Sequence, residues 1–498
     1  MSRNLRHCRA AVAAVVLLAA ATGAARSQAR PGAPSRPNLV VLLVDNVRAD
    51  EFSRGGHPYL KTPNIDRLAA EGAMFRSYYI TTPLCSPSRA SILTGQYGSR
   101  HGIIDNTNRS RASHELHTFA QDLQRLGYET AFLGKWHMGN DPTPRPGWDY
   151  WVSYPGQGRS TDPDLYEDGQ IHKVTGYVTD LMYERAIRFV KRPRGDKPFL
   201  LYLAHKAVHP DVRQLDDGSP DFSMGGGRHV PAERHRGFYH DKIWPPAPNV
   251  LKPGQLPEGK PLLRAVLTRR ALPEFQPKYG SFMEYTYSQE YIQSRAEVML
   301  AVDEGLGILR QTLADLGELD NTVFVYTSDN GEFFGAHGLT TEIRLPYEDN
   351  VRVPLLMRYP RLIKPGIAID GLALNIDLAP TLIELAGGKP RAEIQGRSLV
   401  PLFRGRPSSW RRSFMMELTS EEATFPWLVS ASYRAVRMGP YKYIHWINVD
   451  GMDELYDLGR DPFELTNLID RPDRRATIAT LRHELARLVA ESVGLGPA

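Results

Sequence analysis

Cysteine is nearly absent: the chain has 498 residues and two cysteines, Cys8 and Cys85. If a leader carrying Cys8 is removed, no internal disulfide can form. A strong charge of one sign is also missing. The net charge of +5 is small for this length and does not argue for nucleic acid, and no RNA- or DNA-binding motif is present. It permits an anionic ligand in a locally basic cleft. No internal repeat is visible. The one long apolar run, "AVAAVVLLAAATGAA", is short for a membrane span.

That run sits where a leader would. Arg3, Arg6 and Arg9 precede it, and small residues continue to about Ala29. A basic start, a short apolar core and small-residue sites make a secretory signal peptide over 1–29; an uncleaved anchor is the alternative. Cys8 lies before the apolar core, so no lipid-acceptor cysteine follows it. Residues 30–37 read as a disordered linker. The expected location is periplasmic or secreted, with no stable insertion into a membrane. The mature chain then keeps one thiol, Cys85, in an oxidising compartment. Such a cysteine is either buried and inert or chemically employed. Its neighbours Ser86, Pro87, Ser88 and Arg89 are not those of an apolar core.

From Asn38 to about Leu385, apolar runs alternate with helical patterns. "NLVVLLVD", "YETAFLGKWH", "PFLLYLAHKAVH", "NTVFVYTSDNGE" and "RVPLLMRYP" read as strands, most ending in polar residues. Continuous apolar strands separated by helices predict a parallel or mostly parallel sheet covered on both faces. In such sheets ligands bind where strands end at their carboxyl side. Helices are expected at 65–72, 90–93, 118–126, 179–190, 289–316 and 378–386. The Pro-, Gly- and charge-rich stretch from Asp211 to Tyr287 has weak periodicity and reads as an irregular, substrate-shaping loop following His209. After about Gly388, "YRAVRMGPYKYIHWI" predicts an antiparallel hairpin. A last helix places Ile478, Leu481, Leu485, Leu488 and Val489 on one face. The division expected is a catalytic domain over 38–388 and a smaller α+β subdomain over 389–498.

The strand ends carry the chemistry. Asp45 and Asn46 end the first strand; Asp329 and Asn330 end a late one. Four hard oxygen donors at one sheet edge suit Ca²⁺ or Mg²⁺ rather than zinc, although Asp-Asn pairs also serve as turns and caps. Lys135 and His137 lie two apart, so in an extended segment they point to one side. Arg89 follows Cys85 by four, and His209 closes another strand near Lys206. Each alone is an ordinary surface or packing residue; together they would surround a tetrahedral oxyanion with positive charge.

"CSPSRASILTG" resembles the signature of the type I sulfatase family, Cys-x-Pro-x-Arg followed by Thr-Gly. "VDN", "GKWHMG", "AVHP", "SDNGE" and the C-terminal "YKYI…ELYDL…DP" resemble its other motifs in the same order, over nearly the whole mature chain. The resemblance implies an alkaline-phosphatase-like mixed α/β sheet sandwiched by helices. It also implies that Cys85 is oxidised before folding to Cα-formylglycine by a formylglycine-generating enzyme that reads Pro87 and Arg89. The aldehyde hydrate would attack sulfur, and its second hydroxyl would permit release of sulfate. The site it implies has Asp45, Asn46, residue 85, Asp329 and Asn330 on Ca²⁺ (or Mg²⁺), with Lys135, His137, His209 and Arg89 around the ester. "PGWDYWVSYPGQG" and "HKAVH" look most like the bacterial branch similar to N-acetylglucosamine-6-sulfatases, so a sulfated saccharide is the expected substrate.

Two departures stand out. Asn46 replaces the family's usual second aspartate, which removes one negative charge. Ile343 stands where the family often has a lysine, with Arg344 beside it as the replacement cation. The alternatives are a phosphomonoester, phosphodiester or phosphonate hydrolase of the same superfamily, and a non-catalytic binder of sulfated glycans.

Overall fold

A computed structural model describes residues 36–494 apart from 224, 406, 408, 421–423 and 448. The expected signal peptide and most of the linker lie outside the described residues. β1 (Asn38–Val44) is apolar after its first residue and buried along its whole length. A strand buried on both faces belongs in the middle of a covered sheet. β1 pairs in parallel with β8 (Thr322–Ser328) on one side and β7 (Phe199–Ala204) on the other. β3 (Glu129–Gly134) and β4 (Tyr150–Ser153) continue the parallel run beyond β7.

The sheet has ten strands and is mixed. β2 (Ala73–Phe75), β5 (Asp164–Glu167), β6 (Gln170–Lys173), β9 (Leu355–Arg358) and β10 (Ile367–Ile369) complete the order β10-β2-β9-β8-β1-β7-β3-β4-β5-β6. β9 runs antiparallel to β8, and β5 to β4. Side-chain alternation sorts β1 between two cores. Val40, Leu42 and Val44 face one, which includes Leu306 and Leu309 of the helix Gln289–Asp315. Leu39, Val41 and Leu43 face the other, with Leu378, Leu382 and Ile383 of the helix Leu378–Leu385. This is the expected alkaline-phosphatase-like mixed sheet between helices.

Register places the functional strand ends. Val44 is paired with Ser328, so Asp45 and Asp329 leave the sheet side by side. Gly134 is paired with Ala204, which brings Lys135 to the same edge.

The helices expected from periodicity are present, at bounds such as Val178–Val190 and Leu378–Leu385. The stretch read as irregular from 211 to 287 differs. It contains the helices Pro261–Arg270 and Gln276–Thr286, each with a proline in its first turn. Proline reads as a breaker in sequence, yet at a first turn its missing N–H costs nothing and its fixed φ suits the helix. The part nearest His209 stays extended and loop-like: Arg213–Gln214 pairs with Pro220–Asp221 in a short antiparallel hairpin.

A smaller C-terminal domain holds a four-stranded antiparallel sheet: β11 (Ser413–Leu418), β12 (Tyr433–Met438), β13 (Tyr441–Trp446) and β14 (Glu454–Asp457). The expected hairpin is β12–β13. The last helix, Arg475–Ser492, buries Ile478, Leu481 and Leu485 against Met415, Val436, Tyr443 and Leu455. Leu488 and Val489 are partly buried at its end. Leu481→Ala is therefore expected to destabilise the protein by about 2–5 kcal/mol, with Leu488→Ala costing less. Urea denaturation followed by tryptophan fluorescence reads both.

Candidate active site

Cys85 opens the helix Cys85–Thr94, whose end is set by Gly95 at φ 72, with the Gly95 N–H on the Ser91 carbonyl. A side chain at position 95 would have to accept that left-handed φ and meet Ile394. This is the structural need behind the Thr-Gly of the motif. The start of the helix brings Cys85 to the strand ends. Its Sγ lies 3.9 Å from both Asp45 Oδ1 and Asn46 Oδ1.

The thiol is 1% exposed. Burial pushes it up to about 12; Lys135 opposes this, and Asp45 and Asp329 add to it. At neutral pH it is a protonated thiol and not a nucleophile.

Arg89 sits on the same helix and is 2% exposed. Its Nε and Nη2 each lie 2.8 Å from Asp329 Oδ2, and Nη2 lies 3.3 Å from Asp45 Oδ2. Its Nη1 donates to the Lys135 carbonyl at 2.7 Å. Lys135, fully buried, bonds Asp45 Oδ2. Burial would raise both carboxyls. Lys135 and Arg89 outweigh it at Asp45, which is held below the usual range. Asp329, beside the Asp45 charge, is held above it. The second carboxylate is thus short of positive charge.

Asn46 takes φ 58, a left-handed conformation that asparagine tolerates better than most residues. Its N–H donates to Asp329 Oδ1 at 3.1 Å, and its Oδ1 accepts from Asn330 Nδ2 at 2.7 Å. Asn330 Nδ2 also donates to the Gly331 carbonyl, which can only accept and so fixes the amide's orientation. Asn330 Oδ1 is then buried with no hydrogen-bond donor among the described residues. Asp45, Cys85 and Asp329 each offer a ligand atom within 4.8 Å of the others. Two carboxylates and an orphaned buried carbonyl oxygen, with a second amide oxygen beside them, fit a hard divalent cation.

Behind Asn46 lies a layer that the sequence reading missed. Arg295 donates to the Asn46 carbonyl at 2.5 Å and to both oxygens of Glu51. Glu332 lies 3.6 Å from Arg295 and accepts from Tyr291 at 3.0 Å; burial pushes it up to about 7 against the pull of Arg295. Glu332 stood inside the quoted "SDNGE", whereas nothing in its long helix marked Arg295.

The structure brings the other expected residues to the same region. His137, at φ 67, packs on the first turn of the Cys85 helix, where Ser86 Oγ donates to the His137 carbonyl at 2.6 Å. His209 and Arg344 line one cleft with Cys85, of about 530 Å³ including open solvent. Gln157, Gln214, Phe222 and Phe425 share its walls. Arg344 is buried and lies over the Phe425 ring at 5.1 Å. Both histidines are held well below their ordinary value, by burial first and then by Lys135. Positive charge at this edge therefore comes from Lys135 and Arg89. His209 Nδ1 lies 2.8 Å from the Pro210 carbonyl, which places its proton there and leaves Nε2 with a lone pair.

Residues 37–388 match the family Sulfatase, and residues 335–491 match N-sulphoglucosamine sulphohydrolase, C-terminal. The chain is 31% identical to the N-acetylglucosamine-6-O-sulfatase of Bacteroides thetaiotaomicron, over 92% of this chain and 86% of that one. It is 29% identical to human N-acetylglucosamine-6-sulfatase, over 87% and 81%. A solved structure of a protein in complex with its substrate D-glucosamine-2-N,6-O-disulfate superposes with a TM-score of 0.76 at 30% identity, covering 92% of this chain and 98% of that one. A phosphonate monoester hydrolase of Agrobacterium radiobacter shares the fold, with a TM-score of 0.69 at 22% identity, covering 92% and 96%.

A cation held by this cluster would bind the folded state alone. Ca²⁺ at about 100 times its dissociation constant should then add ~2.7 kcal/mol of stability. Chelation is expected to lower the thermal midpoint, refilling to restore it, and Asp329→Ala to abolish the response. A midpoint indifferent to both treatments would remove the ion from this site.

Proposed function

Because the chain belongs to the sulfatase family and is a sulfuric ester hydrolase, we propose that it removes the 6-O-sulfate of a glucosamine unit in a sulfated saccharide, acting in the periplasm or outside the cell. The observation that carries the catalytic reading is the place of Cys85: a buried thiol held 3.9 Å from two oxygens of a carboxylate-amide cluster. A thiol in that place has no chemistry of its own. A formylglycine derived from it would supply a hydrated carbonyl, with one hydroxyl to receive the sulfuryl group and a second to allow its release. At 1% exposure, residue 85 is out of reach of a modifying enzyme once the chain has folded, so the oxidation belongs before folding. The sugar assignment rests on the glucosamine-6-sulfatase relatives and on the disulfated glucosamine in the similar complex.

Asp45, Asn46, Asp329 and Asn330, with the residue-85 side chain, would hold Ca²⁺, or Mg²⁺ in its place. The ion would act as a Lewis acid toward the ester and the position-85 oxygen. The protein's own residues do the rest. Lys135 and Arg89 are buried beside the carboxylates and offset the charge that builds on the sulfuryl oxygens. His137 flanks position 85. Arg344 supplies a cation in the cleft wall in the role of the absent family lysine, where it meets the anionic substrate. His209 receives a proton at Nε2 when the anionic ester arrives, because the sulfate charge reverses part of the burial penalty on imidazolium. It then gives that proton to the leaving sugar oxygen. Asn46 leaves the cluster one negative charge lighter than a second aspartate would. That favours more highly charged esters, so phosphate monoesters, which carry a second negative charge near neutral pH, belong in the same assay.

Enzyme from a host with a formylglycine-generating enzyme should show loss of sulfur and gain of oxygen at residue 85 by peptide mass spectrometry. It should also release sulfate from 6-O-sulfated glucosamine in preference to other members of a defined saccharide panel. Cys85→Ala should fold and lose turnover. Full activity with an intact thiol would overturn the formylglycine reading.

His209→Asn should lower kcat on sugar sulfates by about 10²–10⁴-fold. On 4-nitrophenyl sulfate, whose leaving group needs no proton, the loss should be much smaller. Equal losses on both substrates would remove His209 as the acid.

A further inference from the structure

Gln214 lies in the short hairpin that follows His209, inside the stretch read as a substrate-shaping loop, where no motif singles it out. Its side-chain amide ties three parts of the site together. Nε2 donates to the Asn106 carbonyl at 2.5 Å. Oε1 bonds His137 Nε2 and accepts from Gln157 Nε2 at 3.1 Å. Asn106, in turn, accepts the Ser86 N–H at its Oδ1, 3.0 Å away. Ser86 Oγ closes the circuit on the His137 carbonyl at 2.6 Å. The ring Ser86–Asn106–Gln214–His137 thus joins the first turn of the Cys85 helix to the imidazole beside it.

We propose that Gln214 is the positioning residue of His137, holding its imidazole as the Nε2–H tautomer against the first turn of the Cys85 helix. The derivation is one of donors and acceptors. A main-chain carbonyl only accepts, so the Nε2 end of Gln214 must face Asn106. Its Oε1 must then face His137, and the nitrogen opposite an acceptor must carry the proton. Gln157 Nε2 faces the same oxygen at 3.1 Å. The Ser86 hydroxyl hydrogen is directed to the His137 carbonyl, leaving Nδ1, 3.4 Å from Ser86 Oγ, with its lone pair.

Lys135, Arg89 and Asp45 are the charged groups that act on this imidazole. With its Nε2 proton turned to Gln214, His137 offers ester cleavage an acceptor at Nδ1. That catalytic consequence rests on the function proposed above; the tautomer does not. Without the amide, nothing in this ring fixes the proton on Nε2.

The test is ¹⁵N NMR of histidine-labelled full-length protein, with His137 assigned by the signal lost in His137→Asn. The wild type is expected to show Nε2 protonated and Nδ1 bare. Gln214→Leu should shift His137 to a tautomer mixture and lower kcat on the sulfate ester by about tenfold or more, with KM little changed. Gln214→Glu, which keeps the acceptor, should keep Nε2–H. A wild-type Nδ1–H tautomer, or a Gln214→Leu protein with unchanged tautomer and kcat, would overturn the proposal. The wild-type spectrum decides the matter even if Gln214→Leu does not fold. Absence of sulfate-ester turnover in the modified wild type would count against the proposed function, and the tautomer spectrum would still support or overturn the role of Gln214.

Discussion

One buried guanidinium organises the sheet edge that holds the candidate site. Arg89 rises from the helix that Cys85 begins and meets the carboxylates that end β1 and β8, while its third nitrogen holds the carbonyl of Lys135 beyond β3. Four separate pieces of chain are thereby fixed to one planar group. A charge so deeply buried is costly unless paired and hydrogen-bonded on all sides, and removing one partner of such a pair costs on the order of 3–5 kcal/mol. The arrangement holds the two aspartates close together. It also sets the distance at which residue 85 faces them.

The parallel register of β1 with β8 and β7 does the coarse placement, and irregular backbone does the fine placement. Asn46 and His137 both turn at left-handed φ, two and three residues past the strand ends Val44 and Gly134. Such turns break the alternation of the strand and direct adjacent residues toward one point. The Arg295–Glu51–Glu332 layer then grips the Asn46 backbone from behind, so the turn is held from two sides. Rigid strand ends, strained turns and a buried ionic backing make a pre-formed site of the kind needed where charge develops during reaction.

Much of this could be read from the sequence, for definite reasons. Asp45, Asn46, Asp329 and Asn330 were legible because each follows a continuous apolar run, and the end of such a run is where a buried strand reaches solvent or ligand. Cys85 and Arg89 were legible because a lone thiol among Ser, Pro and Arg fits no core. Two helices between residues 261 and 286 were hidden by the prolines that begin them. Arg295 was hidden by its place in a long helix, where an arginine usually means a solvated face. Gln214 and Asn106 were hidden more thoroughly: their roles depend on main-chain carbonyls and amide orientation, and no spacing rule encodes which loop will close over which strand.

The burial of residue 85 also sets an order of events for the chemistry proposed for it. Once the Cys85 helix has docked on the strand ends, the side chain is sealed beneath the same contacts that position it. Under the proposed function, oxidation and folding would compete for each newly made chain. A chain that folded first would be native in shape and idle. The active fraction of a preparation would then be a record of that race, set by synthesis rate, temperature and supply of the oxidising enzyme.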